Sequence, residues 1–173
     1  EIAAYCSPIL VTHGGVRQLI TMTAKSIISV EPATGKLLWS HPHETRNDQN
    51  INAPIYRGGY VCTASGHSGG ARLVKISDDS RKATEVWWKK DLDCCHGGVM
   101  LVGDRIYGSA CRSGGKGFFC ADFMTGETKF RDLWMSWDDW KKCGWPIFRG
   151  TFIGFFLGLI PGVGAIYNGQ YAK

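Results

Sequence analysis

Ser29-Val30-Glu31-Pro32-Ala33-Thr34-Gly35-Lys36-Leu37-Leu38-Trp39 and Cys120-Ala121-Asp122-Phe123-Met124-Thr125-Gly126-Glu127-Thr128-Lys129-Phe130 follow one pattern. Each reads as a strand, an acidic residue, two spacers, Thr-Gly, and a second strand ending in an aromatic ring. A looser copy lies between them, Lys75-Ile76-Ser77-Asp78-Asp79, a polar turn, then Glu85-Val86-Trp87-Trp88. The period is close to 45 residues. Upstream of each copy stands a further matching piece: Ser7-Pro8-Ile9-Leu10-Val11, Ala53-Pro54-Ile55-Tyr56 and Gly97-Gly98-Val99-Met100-Leu101. Arg57-Gly58-Gly59 and Val102-Gly103-Asp104 supply hairpin turns after the last two.

Each unit therefore reads as four short strands, in the second unit Ala53–Tyr56, Tyr60–Ser65, Ala71–Ile76 and Thr84–Lys89. A tandem four-stranded unit of this length is the pattern of a propeller blade. Glycine in the Thr-Gly turn supplies positive φ, while the acidic and Thr side chains accept from turn amides. The closing aromatic is expected to dock flat between neighbouring blades. The fold class is all-β: a partial β-propeller of about three four-stranded antiparallel blades, plus a C-terminal apolar helical segment.

Composition agrees. Of 173 residues 44% are hydrophobic, enough for a core, and 23 are glycine, an excess that fits many tight turns. Lys and Arg total 20 against 15 Asp and Glu, and the +5 balance divides as +3 over 1–133 and +2 over 134–173. No basic block marks a nucleic-acid footprint, so no nucleic-acid partner is expected. Seven cysteines form no C-x-x-C pair. They read either as small buried strand residues or as one or two disulfides of an oxidising compartment, and the odd number leaves at least one thiol free. Glu1 leads almost at once into strand-like sequence, without an initiator Met or a signal-like segment, so a fragment or a processed chain is expected.

The segment Ser29–Trp39 resembles the A-x-D-x-x-T-G-x-x-x-W motif of pyrroloquinoline quinone (PQQ) type propeller repeats. The longer stretch Tyr5–Asp132 resembles PQQ-like repeat proteins through Ser7-Pro8, Asn52-Ala53-Pro54, Tyr60-Val61, His96-Gly97-Gly98 and Ile106-Tyr107-Gly108. Ser29, Glu31 and Phe130 depart from the motif. Three blades do not close a ring, since propellers have 4–8, so the partners expected are the remaining blades or another protein. The resemblance implies a periplasmic or extracellular propeller; three blade repeats without an identifiable cofactor-ligand set point to a non-catalytic binding or scaffold module, with no cofactor expected. The alternative it implies is part of a quinoprotein alcohol or sugar dehydrogenase using PQQ with calcium.

Residues 134–173 stand apart from the propeller region 1–133. Trp134, Trp137, Trp140 and Trp145 precede a stretch, Gly150 to Gln170, that carries no charge. Gly150, Gly154, Gly158 and Gly162 recur every fourth residue, as at helix contacts inside membranes. The run just reaches the ~20 residues that span a bilayer, so membrane contact is expected through 147–167, with Phe152–Ile160 helical. The segment resembles a piece of a tripartite tricarboxylate transporter permease or of small membrane proteins. Lys141, Lys142 and Arg149 favour the cytoplasmic side of such a span, which conflicts with an exported propeller. A membrane anchor, a join of two unrelated pieces and a buried apolar hairpin all remain open readings.

Candidate binding residues are those beginning the innermost strand of each blade: Ser7, Asn52 and His96, which either face a central channel or cap strand starts. Cys94-Cys95 adds a local feature. Quinoprotein dehydrogenases carry an adjacent-cysteine disulfide ring beside PQQ, and Cys94, Cys95 and His96 would be the cofactor-side residues if that resemblance extends here. The spacer of that family is absent, and no Glu/Asn/Asp set for calcium aligns. Cys-Cys-His as a metal trio lacks distant ligands, so no metal site is assigned. His13, His41, His43 and His67 lie in turn-like contexts and read as solvated. No G-x-S-x-G, H-E-x-x-H or phosphate loop occurs, and no catalytic set is assigned.

Overall fold

A computed structural model describes residues 2–45, 49–67, 69–111 and 117–131, and singly Lys141, Trp145, Phe148, Arg149 and Phe152. The chain divides into two compact units, Glu1–Leu133 and Trp134–Lys173. In the first unit, β1 (Ile9–His13), β2 (Val16–Met22), β3 (Ser26–Val30) and β4 (Leu37–Pro42) form one antiparallel meander. A second comprises β5 (Ile55–Arg57), β6 (Tyr60–Ser65), β7 (Gly70–Ile76) and β8 (Ala83–Lys89). The third comprises β9 (Val99–Val102), β10 (Arg105–Ser109), β11 (Phe118–Asp122) and β12 (Thr128–Arg131). The expected blades are these three sheets, and the second sheet's strand ends differ from expectation by at most two residues.

The repeat extends to its irregularity. In each sheet the register between the third and fourth strands shifts by one residue, at Ser29/Val30, Leu73/Val74 and Cys120/Ala121. The residue that follows each bulge is the aromatic one, so Trp39 pairs with Ser29, Trp87 with Leu73 and Phe130 with Cys120. A bulge twists a strand and re-aims the next side chain, which here points the ring along the stack of sheets.

The Thr-Gly turns match in detail. Gly35 (φ 72°) and Gly126 (φ 66°) both take the left-handed conformation that glycine adopts without steric cost. The Gly35 amide donates to the Glu31 carbonyl at 2.8 Å and that of Gly126 to the Asp122 carbonyl at 2.9 Å. Thr34 Oγ1 and Thr125 Oγ1 each accept from the amide two residues on at 3.2 Å. Asp122 Oδ1 also accepts from the Thr125 and Met124 amides at 2.9 and 3.0 Å. These bonds, that from the Thr125 amide foremost, hold the Asp122 carboxyl below its ordinary range.

Burial follows the stacking. One core cluster joins Ile20, Met22, Ile27 and Trp39 of the first sheet to Val61, Val74, Ile76 and Ala83 of the second. The other joins Cys62, Leu73 and Trp87 of the second sheet to Ile106, Phe119, Ala121 and Phe123 of the third. Covered on both faces, β6 is buried from Val61 to Ser65, whereas β1 and β9 alternate with exposed residues. Trp39 and Trp87 are 3% and 8% exposed, as docking requires. Phe130 departs from that expectation at 48% exposed, because no described sheet follows β12.

In the second unit the five described residues are in helical backbone, and the rings of Trp145, Phe148 and Phe152 stack at 6.1 and 5.9 Å. The expected helix Phe152–Ile160 lies, Phe152 apart, outside the described residues. Among the described residues no helix is long and apolar enough to cross a membrane.

Candidate functional site

The segments leading into the inner strands hold the residues singled out from sequence, but at different registers. Ile9, Ile55 and Met100 are equivalent by their ladder partners Ile20, Cys62 and Tyr107. Ser7, Asn52 and His96 therefore precede equivalent positions by two, three and four residues. A one-residue slip along an extended chain reverses the side chain's direction, so the three do not form one ring of like groups. Ser7 and His96 are exposed in the leading segments. Asn52 is buried, and its amide donates to the carbonyls of Ala64 at 2.9 Å and Cys94 at 2.7 Å. It ties the second sheet to the segment entering the third.

The cysteines divide between the two readings. Cys95 and Cys111 form a disulfide with Cα atoms 5.5 Å apart, while Cys94 stays a free, buried thiol. The adjacent-cysteine ring is thus excluded: Cys95 points to the end of β10 and Cys94 inward, where its Sγ donates to the Gly98 carbonyl at 3.4 Å. Gly66 makes room for the bridge, since a Cβ there would fall 2.1 Å from Cys95 Sγ. Asp93 Oδ1 accepts from the Cys111 amide at 3.1 Å. Burial pushes the thiols of Cys6, Cys62 and Cys94 up, that of Cys62 to about 12. A raised pKa keeps these thiols in the protonated, less nucleophilic form. Cys143 lies outside the described residues. Among the described residues no group of three or more His, Cys, Asp or Glu is arranged to hold a metal ion.

Sequence reasoning missed a buried polar chain. His43, expected to be solvated, is 1% exposed. Arg72 Nε donates to its Nδ1 at 3.3 Å, so the ring proton belongs on Nε2, which donates to Ser65 Oγ at 2.9 Å. Ser65 in turn donates to Asn50 Oδ1 at 2.6 Å, and Asn50 Nδ2 to the Thr23 carbonyl at 2.7 Å. Burial first, then the Arg72 charge, hold the His43 pKa down to about 4. The signal was the alternation Trp39, His41, His43, which continues inward beyond the expected end of the strand. A second hub, Gln18, accepts from Ser29 Oγ at 2.7 Å and Trp39 Nε1 at 2.9 Å and donates to Ser80 Oγ at 3.2 Å. The Gln18 network is buried, whereas the His43 network reaches the surface through Arg72.

The chain of Arg72 surfaces beside one aromatic. Arg72 pairs with Glu85 and lies 5.7 Å from the ring centroid of Trp88, whose indole donates to the Gly69 carbonyl at 2.8 Å. Trp88 is nevertheless 45% exposed. A held Trp–Arg pair of this kind can bind a protein surface, where both residue types carry much of the energy.

Three stacked four-stranded meanders with bulge-aimed aromatics define a partial PQQ-like β-propeller. The chain belongs to the family described as outer membrane protein assembly factor BamB, which matches residues 2–131. The crystal structure of BamB from Moraxella catarrhalis shares the fold with a TM-score of 0.55 at 13% identity, over 79% of this chain and 40% of that one. The chain thus spans about two fifths of that protein's length. Residues 115–172 are similar to the tripartite tricarboxylate transporter TctA family. That match overlaps β11 and β12, which pair within the third sheet. No curated protein sequence matches the chain significantly.

Proposed function

We propose that residues 1–133 act as an exported, non-catalytic propeller module that binds or scaffolds other proteins, with residues 134–173 as a separate tail. The observation that carries this reading is the use of the candidate cofactor residues by the fold itself. Asn52 is engaged by two carbonyls, Cys95 by Cys111, and Cys94 is a buried thiol. The Cys95–Cys111 bridge supports an oxidising compartment, periplasmic or extracellular. The family description points to the assembly of outer membrane proteins as the setting for a protein partner, and Trp88 with Arg72 is the surface we assign to it. Membrane contact through 147–167 belongs to the same proposal, on the strength of the TctA-like segment; nucleic acid has no part in it.

The test is reconstitution with PQQ and calcium, reading the cofactor's absorbance and dye-linked oxidation of alcohols or glucose. We expect neither binding nor turnover. Binding with turnover would replace this reading with the quinoprotein dehydrogenase.

A further inference from the structure

The disulfide reaches the exposed Trp88 ring through one turn. Cys95 and Cys111 are both half-buried, one in the segment entering the third sheet and the other just past β10. Cys95 Sγ packs directly on Gly66, which follows β6, where a Cβ would meet it at 2.1 Å. Gly69, just before β7, donates its amide to the Gly66 carbonyl at 3.0 Å. The Gly69 carbonyl in turn accepts the Trp88 indole N–H at 2.8 Å, and Arg72 lies 5.7 Å from that ring's centroid. The turn is closely packed on its other sides. A Cβ on Gly69 would fall 2.7 Å from Thr45 Cγ2, and one on Gly70 2.4 Å from the Lys89 carbonyl oxygen. An unbroken run of contacts thus leads from a reducible bond to the proposed docking ring.

We infer that the Cys95–Cys111 bond is a redox latch on the Trp88–Arg72 surface: oxidised, it holds the Trp88 ring in place for docking, and reduced, it releases the ring. An external dithiol supplies two electrons and two protons. The S–S bond breaks, both cysteines become thiols, and the dithiol closes to its own disulfide. Two unbonded sulfurs occupy more room than a bonded pair. Cys111 does not yield that room, because its amide is held by the Asp93 carbonyl at 3.3 Å and by Asp93 Oδ1 at 3.1 Å. Cys95 therefore presses on Gly66, and the turn passes the shift to the Gly69 carbonyl and the indole bonded to it. The same anchoring keeps the two thiols side by side, so reoxidation restores the ring. A local change of packing is in this way read at a distance. The latch rests on the docking role proposed for Trp88 for its purpose, whereas its mechanics involve no partner.

Exchange of the Trp88 indole proton with deuterated solvent, followed by NMR on the full chain, tests the latch. Trp39→Phe, Trp87→Phe and Trp88→Phe identify the three signals by their loss. Dithiothreitol is expected to speed Trp88 exchange by roughly tenfold or more, as local opening does. The indole protons of Trp39, held by Gln18, and of Trp87, held by the Phe123 carbonyl, are expected to keep their rates. Cys95→Ala combined with Cys111→Ala is expected to show the fast Trp88 rate with or without dithiothreitol. An unchanged Trp88 rate after two further thiols become titratable would overturn the latch. So would an equal rise at all three indoles, which is general loosening, or a response to dithiothreitol that survives in the double variant. If the double variant does not fold, the wild-type comparison decides alone. Because no partner enters the readout, a failed latch leaves docking at Trp88 standing, and a failed docking role leaves the latch standing.

Discussion

The indole N–H of Trp87 in β8 meets the carbonyl oxygen of Phe123, at the end of β11, at 3.1 Å. These residues are 36 positions apart and belong to successive sheets. The bond satisfies the one polar group of a ring otherwise buried among Leu73, Phe119 and Phe123. It shows how the molecule is built: each sheet is local, and the aromatic after the bulge joins it to the next.

Trp39→Ala is expected to destabilise the propeller unit by about 3–5 kcal/mol, the cost of emptying a large core site. Phe130→Ala, at the same register but half exposed, is expected to change monomer stability by less than about 1 kcal/mol. Urea unfolding of dilute protein compares them, and equal losses would refute the docking account.

Gly35→Ala and Gly126→Ala both place a side chain at positive φ, at a cost of roughly 1–2 kcal/mol. Gly126→Ala also drives a Cβ to 2.9 Å from the Trp87 ring. It is expected to lose more stability in the same unfolding measurement. Trp87→Ala should remove that difference in the double variant.

Reduction of Cys95–Cys111 is expected to destabilise the unit by about 2–4 kcal/mol, read as a lower melting temperature in reductant. Peptide mapping without reductant should join these two cysteines. A Cys94–Cys95 product would contradict the structure. Native protein at neutral pH should leave Cys62 unalkylated until it unfolds, since burial holds its thiol at about 12.

His43 gives an acid dependence of known sign. Its folded pKa, about 4, lies below the ordinary 6.5, so the unfolded chain takes up the proton first. The stability tied to the neutral ring is fully present above about pH 6.5 and is lost as pH falls towards 4, a change of roughly 3 kcal/mol. His43→Gln should be less stable at neutral pH and flatter over that window. A slope unchanged by the substitution would assign the acid response elsewhere.

The repeat was legible because it is made of local chemistry. Acidic residue, Thr and Gly close the same turn wherever they occur, and alternation states which residues face inward. The turns and strand ends follow from neighbours within a dozen residues, and recurrence of the same local pattern about every 45 residues exposes the period and the equivalent place of Trp39 in each copy. The leading segments were less legible, because they have no ladder to fix their phase: Ser7, Asn52 and His96 look alike by alignment yet differ by up to two residues in register.

By itself the sequence determined three four-stranded units, their turns and the aromatics that join them, since each depends on short-range backbone geometry and side-chain period. Only the tertiary structure decided which cysteine pairs with Cys95, that His43 is buried and neutral beside Arg72, and that Asn52 is consumed by the carbonyls of Ala64 and Cys94. Those outcomes depend on groups that the chain brings together only when the sheets stack. Burial then drives polar atoms to find partners, whatever their distance along the sequence.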